Sequence, residues 1–348
     1  MKINMKSRYL VPALLCLLVL AGIGYYYFFT SFTGQKETAY VYIDDDDNFD
    51  SLTARIEPIA AQHAYHAFCT LARHSSMIQK LHTGRYAIEP SDGALKVFRH
   101  IKNGMQTPLS LTVPSVRTMQ DLAGVLGRRL MADSTEIVRA LTDEATCRKL
   151  GYDTLTMAAL FVPNTYDVYW NVSVDKFLQD MKGEHDKFWN DDRQQKARAL
   201  RLTPEEVATL ASIVDEETAN NGEKPMIAGM YYNRLMLRDG EYPEGMPLQA
   251  DPTIKFAWKQ FALKRIYNNL LHINSPYNTY RFPGLPPGPI RVASVAGIDA
   301  VLNMVHHNYL YMCAKEDFSG THNFATTYAE HMANARRYAA ALNERGIK

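Results

Sequence analysis

Residues 210–258 read LASIVDEETANNGEKPMIAGMYYNRLMLRDGEYPEGMPLQADPTIKFAW, and the helix they continue starts just upstream, at Thr203-Pro204-Glu205-Glu206. Thr203 supplies an N-cap, Pro204 suits the first helical position, and Glu206 three residues after the cap closes a capping box. The spacing predicts a helix from Pro204 to about Thr218. Along it the residues three, four and seven before Glu217 are Val214, Ile213 and Leu210, so Glu217 ends an apolar stripe. Glu216 follows Ile213, Ser212 and Thr209, with Glu205 further back, which predicts a solvated face; Asp215 follows Ala208 and Ala211 and is intermediate. A carboxyl stripped of hydration favours its neutral form, and that is how a general acid is made. Periodicity alone leaves another role open for Glu217, pairing with an arginine or capping a neighbouring helix.

The chain has 348 residues, 47% of them hydrophobic, enough for one large or two to three ordinary domains with real cores. Its 38 basic and 37 acidic residues leave a formal charge of +1, which gives no electrostatic footprint for nucleic acid. Tyrosines (21) outnumber phenylalanines (14) and tryptophans (3), a bias that suits a carbohydrate surface and that ordinary packing explains equally well.

Residues 9–29, YLVPALLCLLVLAGIGYYYFF, hold no charge and are long enough to cross a hydrocarbon core. Lys2, Lys6 and Arg8 precede them. A basic N-terminal flank predicts residues 1–8 in the cytoplasm and everything after the span outside it, with Tyr25, Tyr26 and Tyr27 at the interface. A cleaved signal peptide is the alternative. Of the other cysteines, Cys69, Cys147 and Cys313 cannot all pair and show no metal spacing, so free thiols are expected, as for Cys16 in the span.

Residues 31–39 read as a short polar linker, and residues 40–132 as a small α+β subdomain of short strands and helices. Within it the acidic run from Asp44 to Asp47 lacks the glycine and glutamate a calcium loop requires at its sixth and twelfth places, and reads as a solvated turn before a helix over about 50–72. A strand, GRYAIEP, and a helix, SDGALKVFRHIKNGM, follow. Residues 133–348 form the remaining domain, a mixed α/β body: a helical stretch over 134–149, a charged helix pair over 174–200, the Glu217 helix, and a second helix opened by Pro225. Proline-rich, glycine-punctuated loops come next. A strand at 309–312, a tight return at 320–324 and a capped helix from Thr327 close it. No HExxH or GxSxG motif is present, so neither a metal centre nor a serine nucleophile is expected.

The fragments ASIVDEET, YNRL, LQADPT, SPYNTY, GLPPGPI and THNF…EH occur in this order. Together they resemble the YceG-like family of endolytic murein transglycosylases over the whole architecture: one membrane anchor, a LysM-like subdomain and a catalytic domain. Departures are the Asn in FVPNTY where the family usually has Asp, Asp215 where it commonly has Glu, and RVASVA after GLPPGPI, which lacks the usual proline.

The resemblance implies cleavage of the β-1,4 bond between N-acetylmuramic acid and N-acetylglucosamine without water, leaving a 1,6-anhydro ring. One carboxyl then suffices, donating a proton to the leaving oxygen and taking one back from the sugar's C6 hydroxyl, whereas a hydrolase needs a second carboxylate at about 5 or about 6.5–9.5 Å. By motif the catalytic residue is Glu217. Thr218, Asn233, Gln249, Asp251, Tyr277, Asn278, Tyr280, Gly288 and His322 are the expected substrate-binding set. No cofactor is implied. The expected partners are peptidoglycan strands, the inner membrane as a single-pass host with the catalytic domain on its outer, periplasmic side, and peptidoglycan synthases of the penicillin-binding class. A hydrolase of the same bond and a non-catalytic glycan-binding envelope protein remain the alternative readings.

Overall fold

The computed structural model describes residues 5–346, so residues 1–4 of the expected cytoplasmic stretch lie outside the described residues. The fold is α+β. It divides into two compact units: the first holds the chain up to Leu111 with Arg129–Ala132 and Asp167–Val172, the second holds Thr112–Arg128, Asp133–Tyr166 and the chain from Ser173 onward.

The first unit begins with a helix, Met5–Phe29, in which Tyr9–Phe29 has a mean hydropathy of 2.0 over 21 residues, long and apolar enough to cross a membrane. Residues 31–39, expected as a short polar linker, are instead stitched into the unit. Phe32 is fully buried, its N–H donates to Asp92 O (2.6 Å), and its carbonyl accepts from Ala61 N (2.7 Å). Strands Ala39–Ile43 and Gly84–Ile88 pair antiparallel with Val41 opposite Tyr86. Their inward residues meet Leu52, Ile56, Phe68 and Ile101 in one apolar core.

The helix expected over 50–72 is two helices, Phe49–Ile56 and Gln62–Arg73. Pro58, which has no N–H to continue the ladder, falls in the gap. Asn48 and Ser51 cap the first helix reciprocally. The acidic run is the turn before it, where Arg55 pairs with Asp47 and Asp44.

In the second unit, the stretch expected over 134–149 likewise breaks into Ser134–Thr142 and Glu144–Lys149, because Asp143 leaves the helix to cap the next one through Thr146 N (2.8 Å). Val174–Phe188 and Asp191–Ala199 form the charged pair. Helix Pro204–Glu217 runs through the centre with the expected reciprocal cap between Thr203 and Glu206. Every residue from Val207 to Val214 is buried, so this is an interior helix with no solvated side along those two turns. It packs against Lys224–Met236 and Val295–Leu302. Strand Tyr311–Ala314 begins two residues after the expected 309–312 and pairs antiparallel with His322–Ala325, a second strand in place of the expected tight return, and helix Tyr328–Glu344 carries the expected cap from Thr327 to Glu330.

The division of the chain does not fall at 132. Residues 112–128 belong with the second unit, where Val116 O accepts from Val292 N (2.8 Å) and Arg117 reaches Glu216 (2.9 Å). All four cysteines are free; Cys69 and Cys147 are buried, Cys313 half-buried.

Candidate active site

Glu217 is the last residue of its helix, and Thr218 leaves the helical conformation immediately after it. The carboxyl therefore projects from the end of a buried rod into a cavity of about 300 Å³. Burial is the main cause that lifts its pKa to about 6; the negative charge of Asp251 adds to the lift, and a hydrogen bond from Tyr231, then His322 and Lys255, oppose it. A carboxyl in the last turn also faces the negative end of the helix dipole, which acts in the same direction.

Tyr231 comes from the next helix and is buried, and its hydroxyl donates to Glu217 Oε1 at 2.6 Å. With Oε1 engaged as an acceptor, Oε2 is the oxygen left to carry a proton into the cavity. Tyr231 is itself held strongly neutral by burial and by Glu217, so it acts as a donor and not as a base. One turn further on the same helix, Arg234 is buried and donates to Leu310 O (2.5 Å) and Leu248 O (2.7 Å). It lines the cavity and ties the two loops that form its walls to the helix.

Five of the expected residues besides Thr218, Asn233, Tyr277, Asn278 and Gly288 meet here: Glu217, Gln249, Asp251, Tyr280 and His322. Asp251 opens the short helix Asp251–Trp258, where the dipole favours a carboxylate, and accepts from the Tyr280 hydroxyl at 2.5 Å. Gln249 has φ +50°, a left-handed conformation uncommon outside glycine. Its N–H donates to Thr279 O (3.0 Å), and Ala250 N donates to Thr279 Oγ1 (3.0 Å), which holds the strained turn at the cavity rim. His322 donates its backbone N–H to Glu223 Oε1 (2.6 Å), and its Nδ1 lies 3.1 Å from Glu223 Oε2. The buried Glu223 thus fixes the ring and leaves Nε2 as its free nitrogen.

The other five lie elsewhere. Thr218 is buried as the helix cap, its hydroxyl accepting from Asn220 N (3.1 Å). Asn233 donates to His307 O (2.7 Å) and Tyr309 O (3.0 Å). Asn278, fully buried, donates to Leu271 O (2.8 Å) and Ile273 O (2.9 Å) and accepts from Tyr280 N (3.1 Å), so it presents Tyr280 without touching the cavity. Tyr277 packs on Phe256, ring centroids 4.7 Å apart. At Gly288 a Cβ would stand 2.2 Å from Leu155 O, so a side chain is excluded by backbone and the position serves close packing.

Glu216 departs from its expected solvated face. Its side chain is 11% exposed and receives Arg117 through both oxygens (2.9 Å each) and Arg291 at 2.9 Å. This clamp fixes the helix end that carries Glu217. Asp215 is likewise buried, against Lys224 Nζ (2.6 Å), Ser294 N (2.7 Å) and Ser294 Oγ (2.7 Å). Neither Asp215 nor Glu216 lines the cavity. Tyr231, Arg234 and His331 do, without having been expected there; Tyr231 and Arg234 bracket Asn233 within the YNRL region, at the three-residue spacing that puts two side chains on one helix face.

The YceG-like family profile matches residues 41–337. The chain belongs to the YceG-like family. Among proteins similar to it, an endolytic murein transglycosylase of Bacillus subtilis (strain 168) is 34% identical over 145 residues, 42% of this chain and 38% of that protein. One of Streptococcus pneumoniae serotype 2 is 26% identical over 292 residues, 74% of this chain and 51% of that protein. The chain thus spans about half or less of the length of these relatives. The crystal structure of a YceG-like protein of Listeria monocytogenes shares the fold at a TM-score of 0.53 and 22% identity, covering 86% of this chain and 99% of that one.

Proposed function

We propose that the chain is an endolytic murein lytic transglycosylase with Glu217 as its single acid and base. The carrying observation is the Glu217 carboxyl, desolvated at the end of an interior helix and held on one oxygen by Tyr231. The acid donates a proton to the leaving oxygen of the MurNAc-β-1,4-GlcNAc bond. The carboxylate so formed then takes the proton of the muramyl C6 hydroxyl, whose oxygen closes the 1,6-anhydro ring. Gln249, Asp251, Tyr280 and His322 are proposed to bind the two sugars around the bond. Cutting nascent strands in this way would terminate their polymerisation, and relatives named endolytic murein transglycosylases support the substrate class.

Mass spectrometry of purified strands after digestion tests the chemistry. Ends one water lighter than a reducing sugar are expected. Reducing ends would favour a hydrolase, the reading that Asp251 supports as a second carboxylate in the same cavity.

Tyr231→Phe removes the hydrogen bond that stabilises the Glu217 carboxylate, so the pKa should rise further. Donation requires the protonated form, and activity falls as pH rises through that pKa. The alkaline limb of the pH–rate profile is therefore expected to move to higher pH, with a lower plateau because the acid is less well oriented. A limb that stays in place or moves down would show that Tyr231 does not hold the acid.

The apolar helix is proposed to anchor the chain in the inner membrane with the rest of the first unit and the second unit on the periplasmic side, beside the peptidoglycan synthases, and the strand–helix–helix–strand body of the first unit to be LysM-like. Protease added to spheroplasts should remove the bulk of the protein. Complete protection would overturn the orientation.

A further inference from the structure

Strands Tyr311–Ala314 and His322–Ala325 form a sheet of their own, and a two-stranded sheet has an outer edge on each strand. In an antiparallel ladder, residues alternate between exchanging hydrogen bonds with the residue opposite and turning both backbone groups outward. Lys315 donates its N–H across the ladder to Thr321 O (2.9 Å), which puts Cys313 and Tyr311, at alternate positions before it, on the inward side. His322, opposite Ala314, sends its N–H away from the ladder to Glu223 (2.6 Å), so that pair is of the outward kind. The outward residues of the first strand are therefore Met312 and Ala314.

That edge looks into the cavity of Glu217. Leu310 O, the preceding acceptor on the same side, is taken by the cavity-lining Arg234 (2.5 Å). Beyond it the N–H and C=O of Met312 and of Ala314 have no partner among the described residues. Met312, Cys313 and Ala314 all line the cavity. Successive side chains of a strand point to opposite faces, so three in a row reach one space where the backbone edge borders it. His331 stacks on Tyr311 at 5.4 Å between ring centroids and lines the same cavity, its Nδ1 buried and unpartnered among the described residues.

A row of unpaired backbone donors and acceptors matches an extended chain that carries amides of its own. Two features decide which chain. Every residue of the strand is half-buried, so the edge is recessed and admits a single narrow chain in preference to the sheet of another protein. The cavity it borders is also the seat proposed for the muramyl sugar, whose ring bears a lactyl group and, through it, a peptide.

We propose that the outer edge of Tyr311–Ala314 takes the peptide substituent of the muramyl sugar as an added strand, with Met312 and Ala314 pairing with its first amides. The inference rests on the reading of the Glu217 cavity as the glycan site. It makes the enzyme selective for peptide-bearing strands over stripped ones, through main-chain contacts that tolerate variation in the peptide's side chains.

The test measures kcat/KM of the full chain in detergent on glycan strands of equal length in three forms: carrying the peptide, carrying it with the first amide N-methylated, and stripped of it by an amidase. The intact peptide is expected to be preferred over both other forms by about ten-fold, the yield of two hydrogen bonds of ordinary net strength. Equal rates on all three would overturn the peptide edge and leave the chemistry of Glu217 standing. Cleavage of none would sink the glycan site and this edge together. An N-methylated form cut as fast as the intact one, with both above the stripped form, would put recognition on the peptide's side chains and overturn strand addition. Ala314→Pro deletes one outward N–H and no ladder bond, and should lower the ratio of intact to stripped rates several-fold. An unchanged ratio in the folded variant would count against the proposal, and an unchanged ratio with an altered oligomeric state would assign the edge to a second copy of the chain. The N-methyl comparison uses the wild-type protein, so it decides the matter whether or not the variant folds.

Discussion

Replacing Glu217 with glutamine is expected to lower anhydro-product release by about 10²–10⁴-fold, toward the upper end of what a positioned general acid contributes, because in the proposed mechanism the same group serves both proton transfers. The variant should fold normally. Its amide keeps the shape of the acid and an oxygen for the Tyr231 hydroxyl. Stability even favours it at neutral pH. The carboxyl has an ordinary pKa near 4.5 and a folded-state value of about 6, so the native state binds more protons than the unfolded chain between those values, and stability falls as pH rises through that window. Above it the ionised carboxylate costs the native state about 2 kcal/mol, from the size of the shift. Glutamine carries no such cost, so at pH 7 its denaturation midpoint should equal or exceed that of the wild type. Product release by folded Glu217→Gln at near wild-type rate would move the reaction to another group in the cavity, Asp251 first.

Asp215→Asn should do the opposite, costing stability and sparing chemistry. The Asp215 and Lys224 side chains are 3% and 7% exposed, and the ammonium lies 2.6 Å from Oδ1. Asparagine preserves the volume and accepts from Ser294, but the charge of Lys224 is left buried without a counter-ion. Breaking one side of such a pair costs about 3–5 kcal/mol, a large share of the roughly 5–15 kcal/mol that holds a domain together. The denaturant midpoint should fall accordingly, and the folded fraction should retain catalysis within a few-fold because Asp215 does not line the cavity. Adding Lys224→Met to an apolar replacement of Asp215 should recover most of the loss. A loss under about 1 kcal/mol in the single variant would mean that water reaches the pair.

The Glu217 helix was legible because its determinants are local. Thr203, Pro204 and Glu206 mark its start, and Leu210, Ile213 and Val214 mark the face that strips water from the acid. Glu216 was misread for the complementary reason. Its fate is decided by Arg117 and Arg291, which lie 99 and 75 residues away and leave no trace in the periodicity of one helix. Tyr231 was passed over although only 14 residues separate it from Glu217, since the packing of two helices, and not the spacing within either, brings the hydroxyl to the carboxyl. Motif resemblance selected Asn233, Asn278 and Gly288 alongside Gln249 and Asp251 because a fold depends on the residues that shape its loops as much as on those that line the cavity. Breaks at Pro58 and Asp143 were written in the sequence as a proline and an Asx cap, and were obscured by apolar spacing that continues across both.

The seating of Phe28 and Phe32 bears on how the anchor can be exchanged. Phe28 packs against the core of the first unit, Phe32 is part of it, and a Cβ on Gly93 would stand 2.5 Å from the Phe28 carbonyl. A chimaera that replaces residues 9–30 with an unrelated span removes an apolar side chain from that core along with the Thr30 hydroxyl beside His63. Its inactivity would report a damaged fold as readily as a lost membrane address. The splice that separates the two lies near Ala21 and Gly22, just before Ile23 and Gly24 begin to border the Gln62–Arg73 helix, and everything after that point travels with the unit it helps to build.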